Sequence, residues 1–245
     1  MHSKFIEMGD SQKIKEKKPT PSDLSKNYSS PPTIYTPPEV VGAIIKGIDH
    51  LLRKYWRFKE GIFESTLTFL DLAAGMLAFP LGLLDYGSKM LNSTEFEIWV
   101  EKSFLHNVYS FEIDASVVSL AREKLKKELT YRDIRLNSTT SLNIFECNSL
   151  VNLATSQSYR KAIKLRDKLP IEKDHCLIVM GNPPYAVSSL TKEKWIQSLI
   201  EDYKAELNRK GKKRIVGLKG IQDEYVKFLR LGQWKIGRAS CRERV

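Results

Sequence analysis

The chain has 245 residues, enough for one sizeable core or a core with a small extra domain. Its hydrophobic content of 42% is ordinary for a globular protein, and no uncharged apolar run approaches the length needed to span a bilayer. The formal net charge of +11 suits a polyanionic partner, because each neutralised phosphate releases counterions and adds affinity.

The N-terminus, "MHSKFIEMGDSQKIKEKKPTPSD", lacks the apolar core of a signal peptide, so a cytoplasmic protein is expected. Cys147, Cys176 and Cys241 form no CxxC pair, which points away from a zinc site and from a disulfide framework. The four histidines are scattered, and no metal site is expected. Residues 1–33 are lysine-rich, polar and punctuated by proline, and they read as a flexible basic arm.

In "IYTPPEVVGAIIKGIDHLLRKYW", Thr36 reads as a helix N-cap, with Pro37 at the first helical position and Glu39 completing a capping box. Val40, Val41, Ile44, Ile45, Ile48, Leu51 and Leu52 recur at helical spacing and predict one apolar face. Leu67 to Leu72 predicts a buried strand, Ala73-Ala74-Gly75 a small-residue turn, and "FPLGLLDYGSKML" the start of a helix. "NVYSFEID" predicts a second strand ending at Glu112, and Ala115 to Leu129 an amphipathic helix. "LNIFECN" and "CLIVMGN" predict strands three and four, and "EKWIQSLIEDYKAEL" and "DEYVKFLRLGQW" two helices around a basic, glycine-bearing loop. Strands alternating with helices point to an α/β fold with parallel strands. The last segment, 236–245, matches in one frame the translation of a widely used sequencing-adapter oligonucleotide. It is expected to be read-through, with the natural gene continuing past Lys235.

In an open parallel sheet, ligands bind beyond the carboxyl ends of the strands. The predicted strands end at Asp71, Glu112, Asn148 and Asn182, four polar groups in corresponding places. The run Asp71-Leu-Ala-Ala-Gly75 suits either a close-approaching cofactor or a tight strand-to-helix turn. Glu112 is placed to accept hydrogen bonds from two ribose hydroxyls. Pro183 and Pro184 stop the fourth strand and hold Asn182 extended. The Asn182 side-chain oxygen and the Pro183 carbonyl could then meet one amino group, with Tyr185 offering a flat face. That combination suits a planar exocyclic amine.

Tyr35-Thr-Pro-Pro-Glu, Asp71-Leu-Ala-Ala-Gly75, Phe111-Glu-Ile-Asp114 and Asn182-Pro-Pro-Tyr185, in that order, resemble an amino-directed DNA methyltransferase dependent on S-adenosylmethionine. The stretch from Asn182 through "GIQDEYVKFLRLGQWKI" is similar to the methyltransferase part of type ISP and related fused restriction–modification enzymes. The resemblance covers about Thr33 to Lys235 and implies a partial catalytic domain with a Rossmann-like methyltransferase fold, its mostly parallel sheet incomplete on the C-terminal side. It also implies roles. Tyr35, Thr36 and Pro37 would line the methionine end of the cofactor, and Asp71, Ala73 and Gly75 its loop. Glu112 would hold the ribose and Asn148 the adenine of the cofactor. Asn182, Pro183, Pro184 and Tyr185 would hold the target base. The family pattern is close to Asp-Pro-Ala-x-Gly-x-Gly; here Leu72 and Leu77 replace the proline and the second glycine. Leu77 is therefore expected to crowd the cofactor or to open the turn.

The implied reaction is methyl transfer to the N6 amine of an adenine flipped out of DNA, within a restriction–modification system. Cytosine N4, rRNA guanine and protein glutamine are the competing amines, the last two because Asn-Pro-Pro-Tyr is carried by rRNA guanine and glutamine methyltransferases too, and a non-catalytic remnant is the further alternative. A target-recognition domain, and a nuclease or helicase, would belong to the full-length gene. No membrane partner is implied.

Overall fold

The computed structural model describes residues 35–137, 140–152, 157–169, 175–185, 193–201 and 219–240, all within the compact unit Pro32–Val245. The arm of residues 1–33, most of the basic loop and the end of the adapter-like tail lie outside the described residues.

Leu67–Asp71 (β1) is buried along its whole length, as a strand covered on both faces must be. It is joined by β2 (Val108–Glu112), β3 (Ile144–Glu146) and β4 (Cys176–Val179) in a four-stranded sheet of order β3-β2-β1-β4. Every pairing is parallel. The chain starts in the centre, steps outward to β3, then crosses to the other side of β1 for β4. This is the expected α/β, Rossmann-like architecture, and it leaves a topological switch point between β1 and β4. The third and fourth strands are shorter than the sequence suggests, so Asn148 and Asn182 sit in the loops beyond them. Among the described residues β4 pairs with β1 alone, which makes it an edge.

The helices are α1 (Pro38–Tyr55), α2 (Ala78–Met90), α3 (Ser93–Trp99), α4 (Ala115–Tyr131), α5 (Gln157–Asp167), α6 (residues 194–201) and α7 (Glu224–Ser240). Successive strand residues point to opposite faces. Leu67 and Phe69 join α1 to α4 in one core, while Leu70 and Phe111 join α5, α6 and α7 in the other. α7 runs past Lys235 to Ser240, so the adapter-like segment is helical at its start. No described helix is long and apolar enough to cross a membrane.

The start of α1 departs from the sequence reading. Pro37, not Thr36, occupies the N-cap position, and no side chain caps the helix. Pro38 has no N–H, and the amides of Val40 and Val41 both donate to the Pro37 carbonyl, so little is left for a threonine to cap. The apolar face is also wider than its contact. Val41, Ile45 and Leu52 are buried, whereas Val40, Ile44 and Leu51 are exposed. α1 meets α2 along one side only, and that contact is close: a side chain at Gly82 would reach within 2.4 Å of Val41. Asp49 sits on the buried side, where its carboxylate accepts from the Ile62 amide at 2.8 Å and the Tyr86 hydroxyl at 3.1 Å.

Leu77 does not open the turn, since its amide donates to the Ala74 carbonyl at 2.8 Å. It takes φ 64° and ψ 41°, the left-handed region where the family pattern has glycine, and directs a fully buried side chain into the α1–α4 core. The backbone strain, about 1–2 kcal/mol, is offset by burying a leucine, about 1.5–3 kcal/mol. Two substitutions separate these effects. Leu77→Ala keeps the strain and loses the packing, so it should destabilise by about 2–5 kcal/mol. Leu77→Gly loses the same packing but relieves the strain, so it should unfold at higher urea than Leu77→Ala, the reverse of the usual order.

Candidate active site

Three strand ends converge on one crevice. After β1 the loop is pinned at each step. Asp71 Oδ1 accepts from the Ala73 amide at 3.1 Å, and the Ala74 amide donates to the Phe111 carbonyl at 2.9 Å. The Gly75 amide donates to Glu112 Oε2 at 2.9 Å. Gly75 has φ 49°, and a side chain there would meet nothing within 4 Å, so the space above it is open. The other Glu112 oxygen accepts from the amides of Ile113 and Asp114, at 2.9 and 3.1 Å. The first and second strand ends are thus tied through one carboxylate.

β4 arrives on the opposite side. Its last ladder bond runs from the Met180 amide to the Leu70 carbonyl at 3.0 Å. Gly181 then lies against Asp71, where a Cβ would stand 2.6 Å from Oδ1. Only glycine permits that approach. Asp71 is buried beneath it, and burial pushes its carboxyl up to about 7, with the Glu112 charge adding to the rise.

Beyond Gly181 the chain presents Asn182. Its side-chain nitrogen donates to the Thr36 hydroxyl at 3.0 Å, and its oxygen accepts from the Tyr185 hydroxyl at 3.0 Å. The Tyr185 ring stacks on Tyr225 at the start of α7, with centroids 5.1 Å apart and planes 15° off parallel, and 56% of Tyr185 remains exposed. A cleft of about 260 Å³ opens beside this cluster, lined by Asp71, Ala73, Gly181 and Pro183 on one side and by Phe228 and Gly232 of α7 on the other. That is close to the lower end of small-molecule sites, roughly 300–1,000 Å³.

The structure brings Asp71, Ala73, Gly75 and Glu112 into one loop cluster, and Thr36, Asn182, Pro183 and Tyr185 into a second beside it. Pro184 lies between Pro183 and Tyr185 and is half-buried. Tyr35 and Pro37 flank Thr36 in the chain and are exposed. Asn148 is turned inward. Its side-chain oxygen accepts from the Leu150 amide at 2.9 Å, and it is not among the residues lining the cleft. Its loop is held by the fully buried Arg166, which donates to the carbonyls of Ser149 and Val151 at 2.7 and 2.6 Å and lies over the Trp195 ring. Ser149 adds a 2.6 Å bond from its hydroxyl to the Leu72 carbonyl.

Gly181, Tyr225 and Phe228 escaped the sequence reading. Gly181 was visible as a small residue at a strand end, but its need comes from a neighbouring strand. Tyr225 and Phe228 lie on a recognisable helix whose side facing the cleft has no local signature. Cys147 is buried, and burial pushes its thiol up to about 11, while Cys176 is only half-buried. Among the described residues no cluster of three His, Cys, Asp or Glu side chains could hold a metal ion.

No family model and no curated protein matches the sequence. Solved structures do. The ATP-dependent Type ISP restriction-modification enzyme LlaBIII bound to DNA superposes with a TM-score of 0.64 at 18% identity, over 83% of this chain and 14% of that one. The DrdV–DNA complex gives 0.60 at 19% identity, over 83% and 19%. A nuclease-deletion mutant of the Type ISP enzyme LlaGI, in complex with a DNA substrate mimic, gives 0.62 at 17% identity, over 83% and 17%. At these identities the likeness is one of fold, and this chain spans less than a fifth of each of those proteins.

Two consequences follow from the Asp71–Gly181 contact. Gly181→Ala should displace the β4 end or the carboxylate and destabilise by about 1–3 kcal/mol. Separately, folded Asp71 keeps its proton to about pH 7, whereas the unfolded chain releases it near 3.8. The native state therefore binds the extra proton between these values, and stability from this group falls as pH rises through that window, by roughly 4 kcal/mol at about 1.4 kcal/mol per pKa unit. Asp71→Asn should remove the decline. Urea unfolding at pH 4.5 and 7.5 should show the mutant gaining on the wild type at the higher pH.

Proposed function

We propose that this chain carries the methyl-transfer centre of a restriction–modification enzyme, moving a methyl group from S-adenosylmethionine to the N6 amine of an adenine flipped out of DNA. The observation that carries this reading is the pairing of Asn182 and Tyr185 on either side of Pro183, which lines the switch-point crevice together with Asp71, Leu72 and Ala73. The net charge of +11 suits the DNA backbone, and three solved structures of like fold, two of Type ISP restriction-modification enzymes and one of DrdV, are in complex with DNA or a DNA substrate mimic. In this reading, target recognition and any nuclease or helicase lie on other segments.

The residues present fit the cofactor. Open space over Gly75, beside the Glu112 carboxylate, suits a ligand bearing ribose hydroxyls. A carboxylate offers about four acceptor positions. Glu112 uses them on three backbone amides, leaving capacity for a hydroxyl. Phe228 supplies an apolar wall. When bound, S-adenosylmethionine supplies an electrophilic methyl carbon on a sulfonium leaving group.

The chain's own groups prepare the amine. Flipping a base costs a few kcal/mol, and stacking on an aromatic ring returns about 1–3 kcal/mol. Tyr185 offers that ring already ordered, backed by Tyr225 and tethered to Asn182, so little further entropy is lost on binding. The adenine amine is a poor nucleophile because its lone pair is delocalised into the ring. The Asn182 side-chain oxygen keeps a second lone pair for one amine hydrogen, and the Pro183 carbonyl can take the other. Both bonds favour a tetrahedral nitrogen and stabilise the positive charge that develops there. Pro183 and Pro184 keep these acceptors from drifting.

The test is methyl transfer from radiolabelled S-adenosylmethionine to mixed-sequence DNA, with the intact protein. Label should appear in N6-methyladenine. Asn182→Ala should lower kcat by about 100-fold or more, and Tyr185→Ala by roughly 5- to 100-fold. Label in N4-methylcytosine, RNA or protein would redirect the assignment to another amine. Tight cofactor binding with no labelled product would assign a non-catalytic role.

A further inference from the structure

The Thr36 hydroxyl has no capping duty. The Val40 and Val41 amides are met by the Pro37 carbonyl, Pro38 brings no N–H, and no side chain caps α1. Yet Thr36 is buried, and its backbone is stiff because a residue before proline is confined to extended conformations. Its oxygen receives the Asn182 side-chain nitrogen at 3.0 Å, from a residue 146 positions away in sequence.

That contact restrains the amide. Its nitrogen sits on the Thr36 hydroxyl and its oxygen on the Tyr185 hydroxyl. A hydroxyl can donate or accept, so the two partners fix the place of the side chain and not the sense of the amide. We propose that Thr36 is a positioning residue that holds the Asn182 side chain in place before the base arrives. This rests on the function proposed above and assigns the Thr36 hydroxyl to Asn182 in place of the cofactor-lining role that resemblance alone implies.

The experiment uses the intact protein, S-adenosylmethionine and DNA. Thr36→Val keeps the shape and removes the hydroxyl; Thr36→Ser keeps the hydroxyl and removes a methyl group. Thr36→Val should lower kcat by about tenfold, the effect of one hydrogen bond on the position of a half-buried amide. Calorimetric dissociation constants for cofactor and DNA should stay within about twofold of wild type, and Thr36→Ser should recover kcat to within about threefold. Thr36→Ala carries the same expectation as Thr36→Val should valine disturb folding. Wild-type kcat in Thr36→Val, a loss confined to cofactor affinity, or no recovery in Thr36→Ser would each overturn the proposal. Asn182→Ala in the same assay separates the two levels: if it retains full turnover, the proposed function itself has failed; if it is inactive while Thr36→Val is normal, only the role of Thr36 has.

Discussion

The approach of β4 to β1 governs the rest of the site. Parallel pairing brings Gly181 against Asp71 so closely that a side chain would stand 2.6 Å from the carboxylate. Three features follow from that one contact. The carboxyl is buried, and burial raises it to about 7. The crevice opens where the chain reverses its direction across the sheet. The backbone leaving β4 lines that crevice with Met180, Gly181 and Pro183, and Asn182 lies between two of these residues.

The polar groups around the crevice are ordered before any ligand is considered. Backbone amides from two loops converge on Glu112, and the loop after β3 is drawn in by Ser149 and Arg166. Groups held in this way need not reorganise when charge appears nearby, which is what electrostatic stabilisation of a transition state requires. The aromatic partner is ordered by the same logic, through one stacked ring and one hydroxyl. The strain at Leu77 lies behind this surface, in the core, where burial of its side chain sustains a backbone conformation that glycine usually takes.

Much of this was legible in the sequence because it is local. Strand β1 is an apolar run, α4 an amphipathic repeat, and the stop after β4 a pair of prolines. The polar residues at the strand ends followed from the α/β pattern, and the crevice from the general rule for such sheets. Asp71 lines it, and Glu112 binds the loop that follows Asp71. The readings that failed depended on neighbours from elsewhere. Thr36 fitted a capping box by spacing, but its hydroxyl had a better partner in Asn182. Leu77 looked obstructive because the direction of its side chain was unknown.

Residue order by itself therefore determined the fold class, the sequence of elements and the chemical types gathered at the strand ends, since propensity and periodicity act over a few residues. Only the tertiary structure decided that Gly181 must lack a side chain, that Asn148 turns inward, that Thr36 serves Asn182, and that Tyr225 and Phe228 face the site. Each of these is a contact between segments far apart in the chain, fixed by strand order and close packing, and no local pattern encodes such a meeting.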